Sequence, residues 1–302
     1  MYISQKPLPG FGMEISGVDL SKPLRTKIVQ EILSVFYTHG LIVIPDQNLT
    51  FNQYDTFTKK FGRQKPHFLD HLRNENHSAI LNLSNIFEND RPIGVYEGAV
   101  FWHTDVAYQD PPNSATIVYT RQWPQNGCPT YFSDQMAAYD GLTENMKKMI
   151  DSLIVIHHYG NRADMNTNSR TSAEKLTQEQ ENRVRNVCHP LVKEHPVTGR
   201  KTLYGVCGSS FGIVGMPEDE ACQLLDELAV HATASKFQTK YDFKIDDAGA
   251  WDTYSTLHKA TLLKPATGPH DSRLLWRISV TGLPPTIDIN SISKTNNCLE
   301  KE

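Results

Sequence analysis

From about residue 79 onward the chain consists of short apolar runs separated by turn-forming residues, and this texture narrows most what it can fold into. The runs are Ile80–Leu83, Ser114–Tyr119, Thr130–Phe132, Thr202–Tyr204 and Leu274–Val280, with Pro-, Gly- and Asn-rich stretches between them. Runs of this length, rich in β-branched and aromatic residues, read as strands. Helical patterns interrupt them. Thr143 stands as a cap before Met146, Met149, Ile150 and Leu153, and Pro217 precedes Ala221, Leu224, Leu225, Leu228 and Ala232. Strands that dominate while helices serve as inserts and cover point to an α+β chain around an antiparallel barrel or sandwich.

The first 62 residues differ. Ser21-Lys-Pro23 reads as a helix start, with a hydroxyl cap and proline in the first turn. Leu24, Ile28, Ile32 and Phe36 recur every four residues, and Gly40 supplies the stop. Leu41–Ile44 reads as a buried strand ended by Pro45. Thr50 caps a second helix, with Phe51, Tyr54, Phe57 and Phe61 on one face and its end at Gly62. This helix–strand–helix unit is expected to cover the strand-rich body within a single domain over residues 1–302. The polar segment 161–182 reads as a lid and 290–302 as a frayed tail.

A formal net charge of −4 argues against nucleic acid as a partner, because phosphate-backbone binding needs a basic surface. No 18 consecutive residues are apolar, so a membrane partner is not expected. The N-terminus has no apolar core of signal-peptide length, which predicts a cytoplasmic protein. The cysteines at 128, 188, 207, 222 and 298 are odd in number and scattered, with no Cys-x-x-Cys pair. That argues against both a cysteine zinc motif and a disulfide scaffold.

The stretch from Gly98 to Tyr108 carries the most chemistry. On a strand, residues two apart share a face, so His103 and Asp105 can point together at one ion. The plain alternative is a surface histidine bonded to a neighbouring carboxylate. The apolar setting of Phe101, Trp102 and Tyr108 favours buried polar groups with a purpose. Two histidines and one carboxylate form the facial triad that leaves metal positions open, as a non-haem Fe(II) oxygenase requires. Periodicity does not select the third ligand among the remaining histidines. His258 stands out because it follows Ala250-Trp-Asp252, after an expected turn at Gly249, and leads toward an arginine-bearing strand. On that strand, alternation places Arg273, Leu275, Arg277 and Ser279 on one face. Both arginines can grip anions inside the fold or stand solvated on an edge strand.

These features together resemble the TauD/TfdA family of Fe(II)- and 2-oxoglutarate-dependent dioxygenases. The resemblance runs from Gly10-Phe-Gly-Met-Glu-Ile-Ser-Gly-Val-Asp-Leu20 through Phe61-Gly62, Trp102-His-Thr-Asp105, Ala137-Ala-Tyr-Asp-Gly-Leu142 and Trp251-Asp252 to Arg273 and Arg277. It implies a double-stranded β-helix, or jelly-roll, core with covering helices. It also implies His103, Asp105 and His258 as iron ligands. Thr130 and Arg273 would bind the far carboxylate of 2-oxoglutarate, while Arg277 and His67 would hold an anionic group of the prime substrate. Two departures stand out. The loop between His258 and Arg273 is longer than the family pattern, so the two arginines can exchange roles. Ala99 stands where sulfonate-using members carry asparagine.

The resemblance implies a small-molecule substrate, Fe(II), 2-oxoglutarate as cosubstrate and O2, with release of succinate and CO2. Hydroxylation is the expected outcome, with desaturation or isonitrile formation as family alternatives. Homo-oligomers occur among similar enzymes. Two other classes compete: a zinc hydrolase using the same ligands, and a non-catalytic binding protein that kept the fold alone. No His-Glu-x-x-His motif supports the first.

Overall fold

The computed structural model describes residues 3–67, 72–96, 99–159 and 185–286. The expected lid at 161–182 and tail at 290–302 lie outside these residues.

The strand pattern of the sequence becomes one large sheet and several small ones. The large sheet runs in the order Ser4–Pro7, Met13–Ser16, Leu41–Ile44, Ala248–Asp252, Ala115–Gln122, Leu274–Thr281, His77–Ser84 and Arg73–Asn74. Arg63–Gln64 also pairs with Leu274–Thr281. The pairing is antiparallel except between Met13–Ser16 and Leu41–Ile44, which run parallel. A second sheet has the order Gln238–Tyr241, Thr130–Asp134, Thr256–Lys259.

Alternation along the strands separates two apolar layers. Ile42, Ile44, Ile117, Tyr119, Trp276, Ile278 and Val280 pack on the helix side of the large sheet. There they meet Ile28, Ile32 and Phe36 of helix α1 (Thr26–His39) and Tyr54 and Phe57 of helix α2 (Phe51–Thr58). Leu41, Val43, Val118, Trp251 and Leu275 cluster on the opposite side with Phe132 of the second sheet. The space between the two sheets is therefore a packed core. A third sheet, Val187–Pro190, Ile154–His157 and Ser210–Ile213, shares an apolar cluster with helix α3 (Glu218–Ala232).

Local signals set several boundaries as expected. Gly40 ends α1 in the left-handed conformation, with φ 68°, and its N–H donates to Phe36 O. Thr50 and Gln53 form a reciprocal capping box at the start of α2. Thr143 accepts from the N–H of Met146.

Other boundaries differ from the expectation. Helix α1 begins at Thr26, because Ser21 Oγ donates to Asp19 Oδ1 rather than capping the helix. Helix α2 ends at Thr58, although Phe61 beyond it remains fully buried. Leu41–Ile44 is an interior strand of the large sheet, paired on both sides, instead of part of a cover. Gly249 lies within a strand, not a turn. A Cβ there would meet Phe243 Cε1 at 2.6 Å, so close ring packing explains the glycine. Among the described residues no helix is long and apolar enough to cross a membrane. Among the described residues, Cys128, Cys188, Cys207 and Cys222 form no disulfide.

Candidate active site

His103 and His258 face each other across a single antiparallel bridge. Each backbone N–H donates to the other's carbonyl at 3.0 Å. Asp105 follows in a turn in which Val106 has φ 57°. The expected strand under His103 and Asp105 is thus only one bridge long; the bridge and the turn together make the side chains converge. One donor atom from each of His103, Asp105 and His258 lies within 4.8 Å of the others. Asp105 Oδ1 is 3.8 Å from His103 Nε2, and Oδ2 is 3.6 Å from His258 Nε2.

The two sheets hold this cluster from opposite sides. Asp105 Oδ2 accepts from Thr116 Oγ1 at 2.7 Å and from Trp251 Nε1 at 3.3 Å. Thr116 and Trp251 are cross-strand partners in the large sheet, so both point at the carboxylate. His258 belongs to the second sheet, opposite Phe132, and its ring packs 4.8 Å from that of Trp251. His103 Nδ1 lies 2.9 Å from Phe101 O. As the donor of that bond, Nδ1 leaves the Nε2 lone pair directed at the carboxylate. Gly208, with φ 81°, backs directly onto His103, where an added Cβ would come within 2.8 Å of His103 Cβ.

The protonation states suit metal binding. Burial pushes the His103 imidazole down, with the Asp105 charge opposing it. Burial, reinforced by His103, pushes His258 down to about 3. Both rings are therefore neutral near pH 7 and offer lone pairs. Burial alone would raise the Asp105 carboxyl; Arg277, the two imidazoles and Thr116 outweigh it and hold the group well below the usual carboxylate range. Metal bonds of about 2.1 Å at right angles place neighbouring donors about 3 Å apart. The two carboxylate–imidazole separations, 3.8 and 3.6 Å, are wider than this by about 0.6–0.8 Å, a gap that a small inward shift of the side chains closes, so the three groups fit a first-row divalent ion.

Arg273 and Arg277 are not solvated on an edge. Their strand, Leu274–Thr281, is flanked on both sides by Ala115–Gln122 and His77–Ser84. Arg273 is buried just ahead of it. Its Nη1 donates to Thr261 O at 3.4 Å, and Thr261 Oγ1 donates to Pro129 O at 2.6 Å. That chain of contacts brings Arg273 beside the segment that begins at Thr130. Arg273 Nε is buried without a partner, a cationic donor positioned for an anion. Arg277 instead reaches the metal-ligand cluster, with Nη2 donating to Asp105 Oδ1 at 2.7 Å. Arg277 and His67 line one open cleft with Leu81, Val106, Tyr108 and Ser279.

Sequence reasoning missed several supports of this site. The pairing of Thr116 with Trp251 and the contact of Gly208 with His103 depend on long-range register, which no local pattern announces. Asn85 was also missed. Its Oδ1 accepts from the Arg273 N–H, and its Nδ2 donates to Lys264 O and Asp271 O, tying the long loop before Arg273 to the sheet.

Two imidazoles and a carboxylate, buried between β-sheets with positions open on one side, are the donor set of mononuclear non-haem iron oxygenases. The chain matches the family described as "Taurine catabolism dioxygenase TauD, TfdA family" over residues 4–279. It is 27% identical to the (S)-phenoxypropionate/alpha-ketoglutarate-dioxygenase of Sphingobium herbicidovorans, covering 91% of this chain and 93% of that one. It is 26% identical to an alpha-ketoglutarate-dependent sulfonate dioxygenase of Saccharomyces cerevisiae, covering 85% of this chain and 62% of that one. The crystal structure of AAD-2 in complex with Mn(II) and N-oxalylglycine superimposes with a TM-score of 0.75 at 27% identity, covering 95% of this chain and 100% of that one. The chain belongs to the TauD/TfdA family. It is an Fe(II)- and 2-oxoglutarate-dependent dioxygenase that uses O2, which sets aside the zinc-hydrolase and non-catalytic readings.

Proposed function

We propose that the protein hydroxylates a small anionic organic molecule in a site built from seven residues that the sequence singles out. In this reading His103, Asp105 and His258 hold Fe(II), Arg273 and Thr130 bind the far carboxylate of 2-oxoglutarate, and Arg277 and His67 bind the anionic group of the substrate. The two facing sheets then form the two halves of a double-stranded β-helix. The single observation that carries the assignment is the convergence of three donors, from a bridge, a turn and a strand, within 4.8 Å.

Bound there, Fe(II) with 2-oxoglutarate and O2 supplies the oxidising power, releasing succinate and CO2. The protein's own residues do the rest. Thr116 and Trp251 fix the Asp105 carboxylate, and Phe101 O fixes the His103 tautomer. Arg273 offers an unpartnered buried N–H to a carboxylate. Arg277 sits between the ligand cluster and the cleft, where its charge favours an anion close to the reacting centre. The named relatives act on a phenoxypropionate and on sulfonates, both anions, which supports the substrate class.

The test is succinate release that depends on 2-oxoglutarate and on an added organic acid. His103→Ala and Asp105→Ala are expected to abolish it. Full activity in either iron-loaded variant would overturn the assignment.

A further inference from the structure

Asn113 is fully buried, and neither atom of its carboxamide has a hydrogen-bond partner. Exchanging Oδ1 and Nδ2 changes nothing, because both are unpartnered. The backbone around it is firmly held: Asn113 O accepts from Thr253 Oγ1 at 2.6 Å, and Ser114 N–H donates to Val280 O at 2.8 Å. An amide fixed and buried in this way costs stability unless something meets it. Asn113 is one of the residues that line the cleft of Arg277 and His67, so that cleft is the nearest source of a partner.

We propose that Asn113 is a specificity-determining residue for the prime substrate, hydrogen-bonding a substrate hydroxyl or carboxamide that lies away from the anionic end. This deepens the functional reading above and rests on its placement of the substrate anion at Arg277. The chemistry follows from the donor and acceptor inventory. A carboxylate or sulfonate only accepts, so it would satisfy Nδ2 and leave Oδ1 bare. A hydroxyl or carboxamide donates and accepts together, and so meets both atoms. The register sets the separation. Asn113 lies beside Val280 and Thr281, whose Oγ1 donates to Pro112 O, while Arg277 is three residues earlier than Val280. At about 3.3 Å per residue that is roughly 10 Å along the strand. The same cleft is lined by Leu81, Val106 and Tyr108, which suits an apolar or aromatic linker. The substrate class is therefore a small organic acid carrying a hydroxyl or carboxamide at its far end.

The experiment has two arms, both on protein loaded with metal. In the first, the melting temperature of Asn113→Leu is compared with wild type using Mn(II) and N-oxalylglycine. An amide reserved for substrate predicts an unchanged or higher value. A fall of roughly 5 °C or more would mean that the amide serves the fold, and would overturn the proposal. In the second, Fe(II)-loaded enzyme is assayed for succinate release with acids differing by one hydroxyl, 3-phenylpropanoate and 3-(4-hydroxyphenyl)propanoate. Wild type is expected to prefer the hydroxylated acid at least tenfold in kcat/KM, and Asn113→Leu to lose that preference. Equal use of both acids by wild type, or a preference kept in the variant, would overturn it. If neither acid is turned over, the melting comparison decides by itself. Failure of the anion reading looks different: 3-(4-hydroxyphenyl)propan-1-ol would then be used as well as the hydroxylated acid, with the Asn113 dependence intact.

Discussion

Replacing Gly208 with alanine separates the geometry of the metal site from the stability of the fold. Gly208 has φ 81°, a conformation that costs an alanine about 1–2 kcal/mol. The new Cβ would also lie 2.8 Å from His103 Cβ, whereas an ordinary carbon–carbon contact is about 3.5–4.0 Å. His103 must therefore retreat by several tenths of an ångström from a cluster whose donors already stand slightly open. Gly215 provides the control, with φ 79° and nothing within 4 Å of an added Cβ. Both alanine variants are expected to melt roughly 2–4 °C lower than wild type. Only Gly208→Ala is expected to lose metal affinity, by about 10–100-fold, the usual effect of disturbing the support of a ligand. Anaerobic Fe(II) titration and thermal melting read the two quantities independently. Equal metal affinity in Gly208→Ala and Gly215→Ala would refute the idea that Gly208 positions His103.

Three further outcomes follow from named contacts. Arg273→Ala is expected to raise the KM for 2-oxoglutarate, and Arg277→Ala that for the organic acid without weakening Fe(II) binding, because the guanidinium competes for Asp105 Oδ1; steady-state kinetics with each substrate varied would expose exchanged roles. Thr116→Val removes the donor to Asp105 Oδ2 and is expected to weaken Fe(II) binding about tenfold in the same titration, and an unchanged affinity would make that hydrogen bond irrelevant. Burial, with His189 and Lys193 adding to it, pushes His157 down to about 3 from 6.5. The unfolded chain therefore takes up a proton below about pH 6.5 that the folded protein refuses, so this stabilisation is complete above pH 6.5 and is lost as pH falls toward 3. Its ceiling is on the order of 5 kcal/mol. His157→Gln is expected to flatten the fall of the melting temperature in this range, and an unaltered slope would rule the residue out as a cause.

Elements whose determinants are local were legible in the sequence. Gly40 and Thr50 mark helix ends because a left-handed stop and a reciprocal cap each involve only a few neighbouring residues. Alternation along the arginine-bearing strand put Trp276, Ile278 and Val280 on one face, and that face packs against the helices. What local patterns could not fix is which strands become neighbours. Leu41–Ile44 was expected in a cover because nothing near it reveals pairing with Ala248–Asp252. The site has the same division. His103 and Asp105 are two residues apart, but Trp251 and Arg277 reach Asp105 across 146 and 172 residues. Those contacts exist only once the two sheets have met; the resemblance named Trp251 as a matching position and Arg277 for the substrate, and neither as a partner of Asp105. Asn113 carried no signal at all, since its oddity is the absence of a partner in a fold that had yet to form.

Every other role in the site depends on His103, Asp105 and His258 holding one iron. The most direct measurement is anaerobic titration of Fe(II) into wild type and Asp105→Ala with 2-oxoglutarate present, followed by exposure to O2 and quantitation of succinate. Wild type is predicted to bind one Fe(II) per chain and to release succinate. Asp105→Ala is predicted to bind iron at least tenfold more weakly and to release none, even with iron in excess. Tight single-site binding with full succinate release in the variant would contradict the claim.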